Sequence, residues 1–155
     1  MTAQDTATIE RRVRIEARPE IVFDLLTDAQ QMLRWQGVEA TLEPVPGGIY
    51  RVQLTTQGQC TAGRFVEVVP YSRIVFTWGW DPPTFPVPAG TTTVEITLEP
   101  DGTGTLLELR HSGLPNVPEV AESHGRGWQH YLERLAMFAE GRELPYDPWR
   151  DGLME

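Results

Sequence analysis

Alternation of apolar and polar residues is the strongest local signal in this chain. Ile9, Val13 and Ile15 alternate with Glu10, Arg12, Arg14 and Glu16, the period of two expected of a strand with one buried face. Arg11 interrupts the apolar side of that pattern. The period then changes. Pro19 suits the first turn of a helix, and Ile21, Val22, Leu25 and Leu26 form an apolar stripe at helical spacing. A second short helical stretch is predicted over 28–35, ending near Gly37.

From Val38 the period returns to two. Val38, Ala40 and Leu42 share one strand face, and Pro46-Gly47-Gly48 marks a turn. Tyr50, Val52 and Leu54 share the next face, Gly58 marks another turn, and a longer strand over 60–69 is ended by Pro70. Ile74, Phe76, Trp78 and Trp80 read as one side of a strongly β-prone segment. The stretch 81–90 has four prolines and no periodicity, so it is predicted to be a loop. Val94, Ile96 and Leu98 then line a one-sided strand, Asp101-Gly102 signals a hairpin, and Leu107, Leu109 and His111 share a face of the last strand.

The closing element is helical. Pro118 stands near its start, with Glu119 and Glu122 in the first turns, where the helix dipole favours acids. Val120, His124, Trp128, Tyr131, Leu135 and Phe138 recur at three- and four-residue steps, and Gly141 is placed to end the helix. The order is therefore strand, two short helices, six strands and one long helix. Sequential antiparallel strands leave one apolar face to bury, and the terminal helix carries the only large stripe that fits it. This predicts an α+β helix-grip fold: a curved antiparallel sheet of about seven strands (β-α-α-β6-α) around a long C-terminal helix, with an internal cavity. The whole of 1–155 forms one domain, with a core over about 9–141 and a tail over 142–155.

Composition narrows the function classes. All 13 basic residues are arginine, and the formal net charge of -9 argues against nucleic acid, whose phosphates require clustered positive charge. Cys60 is the only cysteine, so an intrachain disulfide and a cysteine-built zinc site are excluded, and a reducing compartment fits best. The polar start 1–8, with Asp5, is unlike a signal or transit segment. No apolar run approaches the roughly 20 residues of a membrane helix. A cytoplasmic protein with no membrane partner is expected.

The chain resembles the START-like helix-grip superfamily, also called SRPBCC or the Bet v allergen-like fold. More narrowly, it is similar to homologues of the C-terminal domain of the ninety-kilodalton heat-shock-protein ATPase activator. The resemblance rests on the run 17–23, Ala-Arg-Pro-Glu-Ile-Val-Phe, followed by Trp35, and on Pro46-Gly47-Gly48-Ile49-Tyr50. It continues through Gly63-Arg64-Phe65-Val66-Glu67-Val68 with Pro70, Arg73-Ile74-Val75-Phe76-Thr77-Trp78, and Gly127-Trp128 with Leu132 and Leu135. It implies the helix-grip fold. It leaves function open, since members span lipid carriers, cyclases, hydrolases and co-chaperone domains.

Candidate chemistry follows from the inward faces. Tyr50, Trp78, Trp80 and Trp128 converge on one interior in this topology, as do Trp35 and Tyr131, and bulky rings on a curved sheet leave room for a ligand. Core packing alone is the alternative reading of each ring. His124 falls on the apolar stripe and His111 shares a face with Leu107 and Leu109, so both are expected to point into one end of the interior. There each is either a core residue hydrogen-bonded to backbone, or His124 orients a ligand's polar group with Tyr50 or Arg110 helping. His130 lies off the stripe and is expected in solvent. Phe85, amid the loop prolines, is expected either to cover the cavity mouth or to fold back on the protein from a rigid connector.

The three histidines lack metal-ligand spacing, no phosphate-binding glycine loop is present, and Ser72, Ser112 and Ser123 lack a nucleophile-elbow setting. No cofactor and no metal are therefore expected. The tail carries Leu144, Pro145, Tyr146, Pro148 and Trp149, which predicts packing on its own sheet or on a second subunit in a homodimer. The leading expectation is a carrier or sensor for a small apolar or aromatic molecule. A cyclase- or hydrolase-like enzyme using His124 or Tyr50 in the same cavity, or a chaperone-interacting module, are the alternatives.

Overall fold

The computed structural model describes residues 6–83 and 86–152. In chain order it contains β1 (Thr6–Ile15), α1 (Pro19–Thr27), α2 (Ala29–Met32), β2 (Glu39–Leu42), β3 (Ile49–Gln53) and β4 (Cys60–Val69). These are followed by β5 (Arg73–Trp78), β6 (Trp80–Asp81), β7 (Thr92–Asp101), β8 (Gly104–Pro115) and α3 (Pro118–Ala139). A 3-10 turn, Pro148–Asp151, lies in the tail.

The strands form one antiparallel sheet in the order β1-β8-β7-β5-β4-β3-β2, with β6 pairing to β4 beside that path. Bulges between Ala7 and Ile9 on β1 and between Phe65 and Glu67 on β4 add local bend and twist. The helix α3, whose 22 residues span roughly 33 Å, packs against β1 and α1. This is the expected α+β helix-grip architecture.

Each face of the sheet follows the sequence alternation. Ile9, Leu107, Leu109, Val94, Ile96, Ile74, Phe76 and Val52 are all buried on the inner face. On the outer face a charge ladder crosses five strands. Glu10 pairs with Arg110 (2.8 Å), Glu95 with Arg73 (2.9 Å) and Arg73 with Glu67 (2.9 Å), while Arg110 and Glu95 stand 3.9 Å apart. Exposed pairs of this kind add little stability and keep the face solvated. Arg11 obeys the alternation after all. It lies on the inner side of β1 and reaches α3 at Gly125, where a Cβ would come within 2.6 Å of its guanidinium.

Two expectations need correction. Trp80 does not continue the strand of Ile74, Phe76 and Trp78. The strand breaks at Gly79, and Trp80 pairs with Thr61 of β4. At the break the chain at Val87 and Pro88 comes against the strand: the Trp80 amide donates to the Val87 carbonyl (2.8 Å), and Gly79 is packed so closely that a Cβ there would sit 1.9 Å from the Pro88 carbonyl oxygen. This extra two-residue strand raises the count from about seven to eight among the described residues. In addition, β2 begins at Glu39 rather than Val38, whose amide bonds the Gln53 carbonyl just outside the strand.

The tail turns back on its own chain. Leu144 and Trp149 pack against the core, and the Thr56 amide donates to the Arg150 carbonyl (2.7 Å), fastening the tail to the β3–β4 turn. No described helix is long and apolar enough to cross a membrane.

Candidate functional site

The inner face of the sheet and the stripe of α3 meet in a cluster of tryptophan and histidine rings. His111 projects from β8 between its register partners Ile9 and Val94 and is fully buried. Four-residue steps along α3 carry His124 and Trp128 to the same end. Trp78, last in β5, stands edge-on to both histidines, with centroids 4.6 Å from His111 and 5.5 Å from His124. The two imidazoles are 6.4 Å apart. The sequence expectation that they share one end of the interior matches this placement.

Hydrogen bonds fix both histidines. The Trp80 indole N–H donates to Nε2 of His124 (3.0 Å), so Nδ1 carries the proton and donates to the Val120 carbonyl (2.7 Å). The Trp128 indole N–H donates to Nδ1 of His111 (2.9 Å), so His111 donates from Nε2 to the Thr92 hydroxyl (2.8 Å). That hydroxyl in turn donates to the Trp78 carbonyl (2.7 Å). All four ring nitrogens are thereby engaged. Burial lowers the His111 pKa to about 3, with His124 adding repulsion, and burial also lowers that of His124 against the opposing bond to Val120. Both rings are neutral at physiological pH.

The other candidates fall into separate groups. Tyr50 stacks on Phe76 (4.0 Å, 13°) and stands edge-on to Phe65, and burial pushes its phenol up. Trp35 is a brace, donating from its indole to the Leu25 carbonyl (2.8 Å) and receiving the Arg134 guanidinium on its own carbonyl (3.0 Å). Tyr131 lies edge-on to Trp149 of the tail. Phe85 lies outside the described residues. Each of the eight described candidates is 7% exposed or less, so these rings pack on one another rather than facing a wide, water-filled chamber.

Two side chains depart from expectation. His130 is not in solvent: it stacks on Trp149 (3.9 Å, 11°), and its Nε2 meets the Asp147 carboxylate (2.9 Å). Arg110 cannot assist His124, because it points outward to Glu10 and Glu95.

Sequence reading missed Thr92 and Asp147. Thr92 was within reach, two residues before Val94 on the same face of β7. Asp147 is 3% exposed and caps the tail's 3-10 turn by accepting the Trp149 amide (3.0 Å), for which Asp147-Pro148 was the available signal. Among the described residues no group of three His, Cys, Asp or Glu is placed to hold a metal ion.

Residues 16–140 match the family model described as Activator of Hsp90 ATPase homolog 1-like protein. The solution structure of an AHSA1-like protein from Rhizobium etli is similar at 41% identity, covering 97% of this chain and 92% of that one, with a TM-score of 0.73. The crystal structure of CalU16 from Micromonospora echinospora is similar at 26% identity over 90% of this chain and 86% of that one (TM-score 0.68). The Aha1 dimer from Colwellia psychrerythraea shares the fold at 18% identity, 86% and 96% coverage and a TM-score of 0.73. No curated protein matches the chain.

Proposed function

We propose, for a chain that belongs to the Activator of Hsp90 ATPase homolog 1-like family, that it is a carrier or sensor for a small, mostly apolar molecule held between sheet and α3. The observation that carries this reading is the engagement of all four imidazole nitrogens of His111 and His124 by indoles, a hydroxyl and a carbonyl. Neutral imidazoles held this way build a wall of rings. An acid–base enzyme of the cyclase or hydrolase kind would first have to release one of them. The wall of Trp78, Trp80, Trp128 and the two histidines carries no formal charge, which suits an aromatic or alicyclic guest. Trp78, Trp80, His124 and Trp128 are buried at 5–7% exposure and His111 is fully enclosed.

The chaperone-interaction reading rests on the family name alone. A second copy of the chain is proposed as partner, following the Colwellia psychrerythraea Aha1 dimer, with β1 and β2 as the sheet edges available to it. A cytoplasmic setting is proposed from the single, buried Cys60.

Titration of the full chain with Nile red, a neutral polarity-sensitive dye, tests the reading. Saturable one-to-one binding with blue-shifted emission and energy transfer from tryptophan supports it. A linear, unsaturable response without energy transfer contradicts it.

A further inference from the structure

Three buried polar atoms have no hydrogen-bond partner among the described residues: Gln36 Oε1, Thr61 Oγ1 and the Tyr131 hydroxyl. Their residues are only 7%, 2% and 3% exposed. The Thr61 hydroxyl lies near enough to the Tyr50 phenol to oppose its upward shift, yet makes no geometrically sound hydrogen bond with it. An orphaned buried group is destabilising, and most buried side-chain polar atoms have partners.

Neighbouring contacts link the segments that carry the three. Thr61 is the register partner of Val52, and the chain at Gln36-Gly37 runs directly over Val52, whose Cγ1 would lie 2.9 Å from a Cβ on Gly37. Arg134 grips the carbonyl of Trp35, the residue before Gln36, and Tyr131 lies one helical turn before Arg134. Tyr131 in turn packs on Trp149 of the tail, and the tail is fastened to the β3–β4 turn at Thr56. The tail thus joins α3 to the β3–β4 turn as a strap.

We infer that Gln36, Thr61 and Tyr131 form the polar anchor for the guest of this interior, and that the guest is a neutral, hydroxyl-bearing ring compound. The inference rests on the ligand-binding reading above. Gln36 Oε1 only accepts, so the guest must donate there, and the two hydroxyls give or take as needed. A phenol or alcohol does both. A carboxylate offers no donor, and the arginine beside Tyr131 is already committed. The Arg134 guanidinium is held by the Trp35 and Pro145 carbonyls, 3.0 Å each, and lies 3.6 Å from the Asp147 carboxylate, which would repel an anion.

Three probes of one size test it on the full chain by calorimetry: 2-naphthol, naphthalene and 2-naphthoate. The wild type is expected to bind 2-naphthol roughly tenfold more tightly than naphthalene, the equivalent of about 1.4 kcal/mol, and 2-naphthoate most weakly. The isosteric double variant Thr61→Val with Tyr131→Phe should keep naphthalene affinity within about twofold and lose the preference for naphthol. Its thermal midpoint should hold or rise, since two orphaned groups are gone. An undiminished naphthol preference in that variant, tightest binding of the naphthoate, or no naphthol binding in a protein that binds Nile red would each overturn the anchor alone. Failure of Nile red and all three naphthalenes together would overturn the ligand-binding reading and the anchor with it.

Discussion

Trp128 donates its indole N–H to Nδ1 of His111 across 2.9 Å, and this single bond decides which nitrogen of a fully buried imidazole carries the proton. The opposite nitrogen must then donate to Thr92, whose own proton is committed to the Trp78 carbonyl. A helix residue and three strands, β8, β7 and β5, are thereby locked in one relay. Trp128→Phe removes the donor and leaves an acceptor that cannot change tautomer without drawing the Thr92 proton away from the Trp78 carbonyl. The cost is expected to be about 1–3 kcal/mol, with a further loss from the smaller ring. Urea unfolding measures it, and an unchanged midpoint would show that the bond does not matter to the fold.

The same burial makes stability pH-dependent. His111 is lowered from 6.5 to about 3, and His124 is lowered from the same ordinary value. Both rings bind protons more readily unfolded than folded. Their contribution is therefore complete above the unfolded pKa and lost as pH falls through it toward the folded values. For His111 the slope approaches about 1.4 kcal/mol per pH unit, and His124 adds to it in the same direction. Unfolding free energy should decline from about pH 7 to about pH 5, a window above the ordinary carboxylate range. His111→Gln should flatten that slope, and equal slopes in variant and wild type would assign the decline elsewhere.

Glycines separate tight sites from open ones. A Cβ at Gly79 meets the Pro88 carbonyl oxygen at 1.9 Å, between Trp78 and Trp80, whereas one at Gly127 of α3 meets nothing within 4 Å. Gly79→Ala should cost about 1–3 kcal/mol and alter the near-UV circular dichroism of the flanking tryptophans. Gly127→Ala should instead stabilise by up to about 1 kcal/mol through helix propensity. Thermal melts of the two variants should move in opposite directions.

How far the sequence reached depends on the range of the interactions concerned. Period-two faces such as Val94-Ile96-Leu98 and the stripe from Val120 to Leu135 are local patterns, and they carried the element order, the antiparallel sheet and the meeting of His111 with His124. The break at Gly79 was illegible because the chain packed against it, at Pro88, lies nine residues later. His130 was misread for a similar reason: it sits off the apolar stripe, and only the returning tail supplies Trp149 and Asp147 to cover it. The Arg110 error arose from proximity in sequence to His111, although neighbours on a strand point to opposite faces. The orphaned Gln36, Thr61 and Tyr131 come from three distant segments, and their lack of partners is a property of the packed interior alone.

Asp147 is the pin of the tail strap. It accepts the Trp149 amide, meets His130 at 2.9 Å and lies 3.6 Å from Arg134. Asp147→Ala should free the strap while the sheet stays intact. Hydrogen exchange at the Thr56 amide, which bonds the Arg150 carbonyl, reports this directly. Lost protection at Thr56 with unchanged protection in β7 and β8 is expected. Retained protection at Thr56 would mean that Trp149 packing alone holds the strap.

Native mass spectrometry of the freshly purified chain, followed by solvent extraction, tests most directly whether the interior holds a guest. The expected result is a discrete added mass, released by organic solvent as a neutral, hydroxyl-bearing ring compound, and the same spectrum shows whether two copies associate. A bare chain mass, together with the absence of saturable Nile red binding, would contradict a ligand-binding interior and leave the Trp–His cluster as packing.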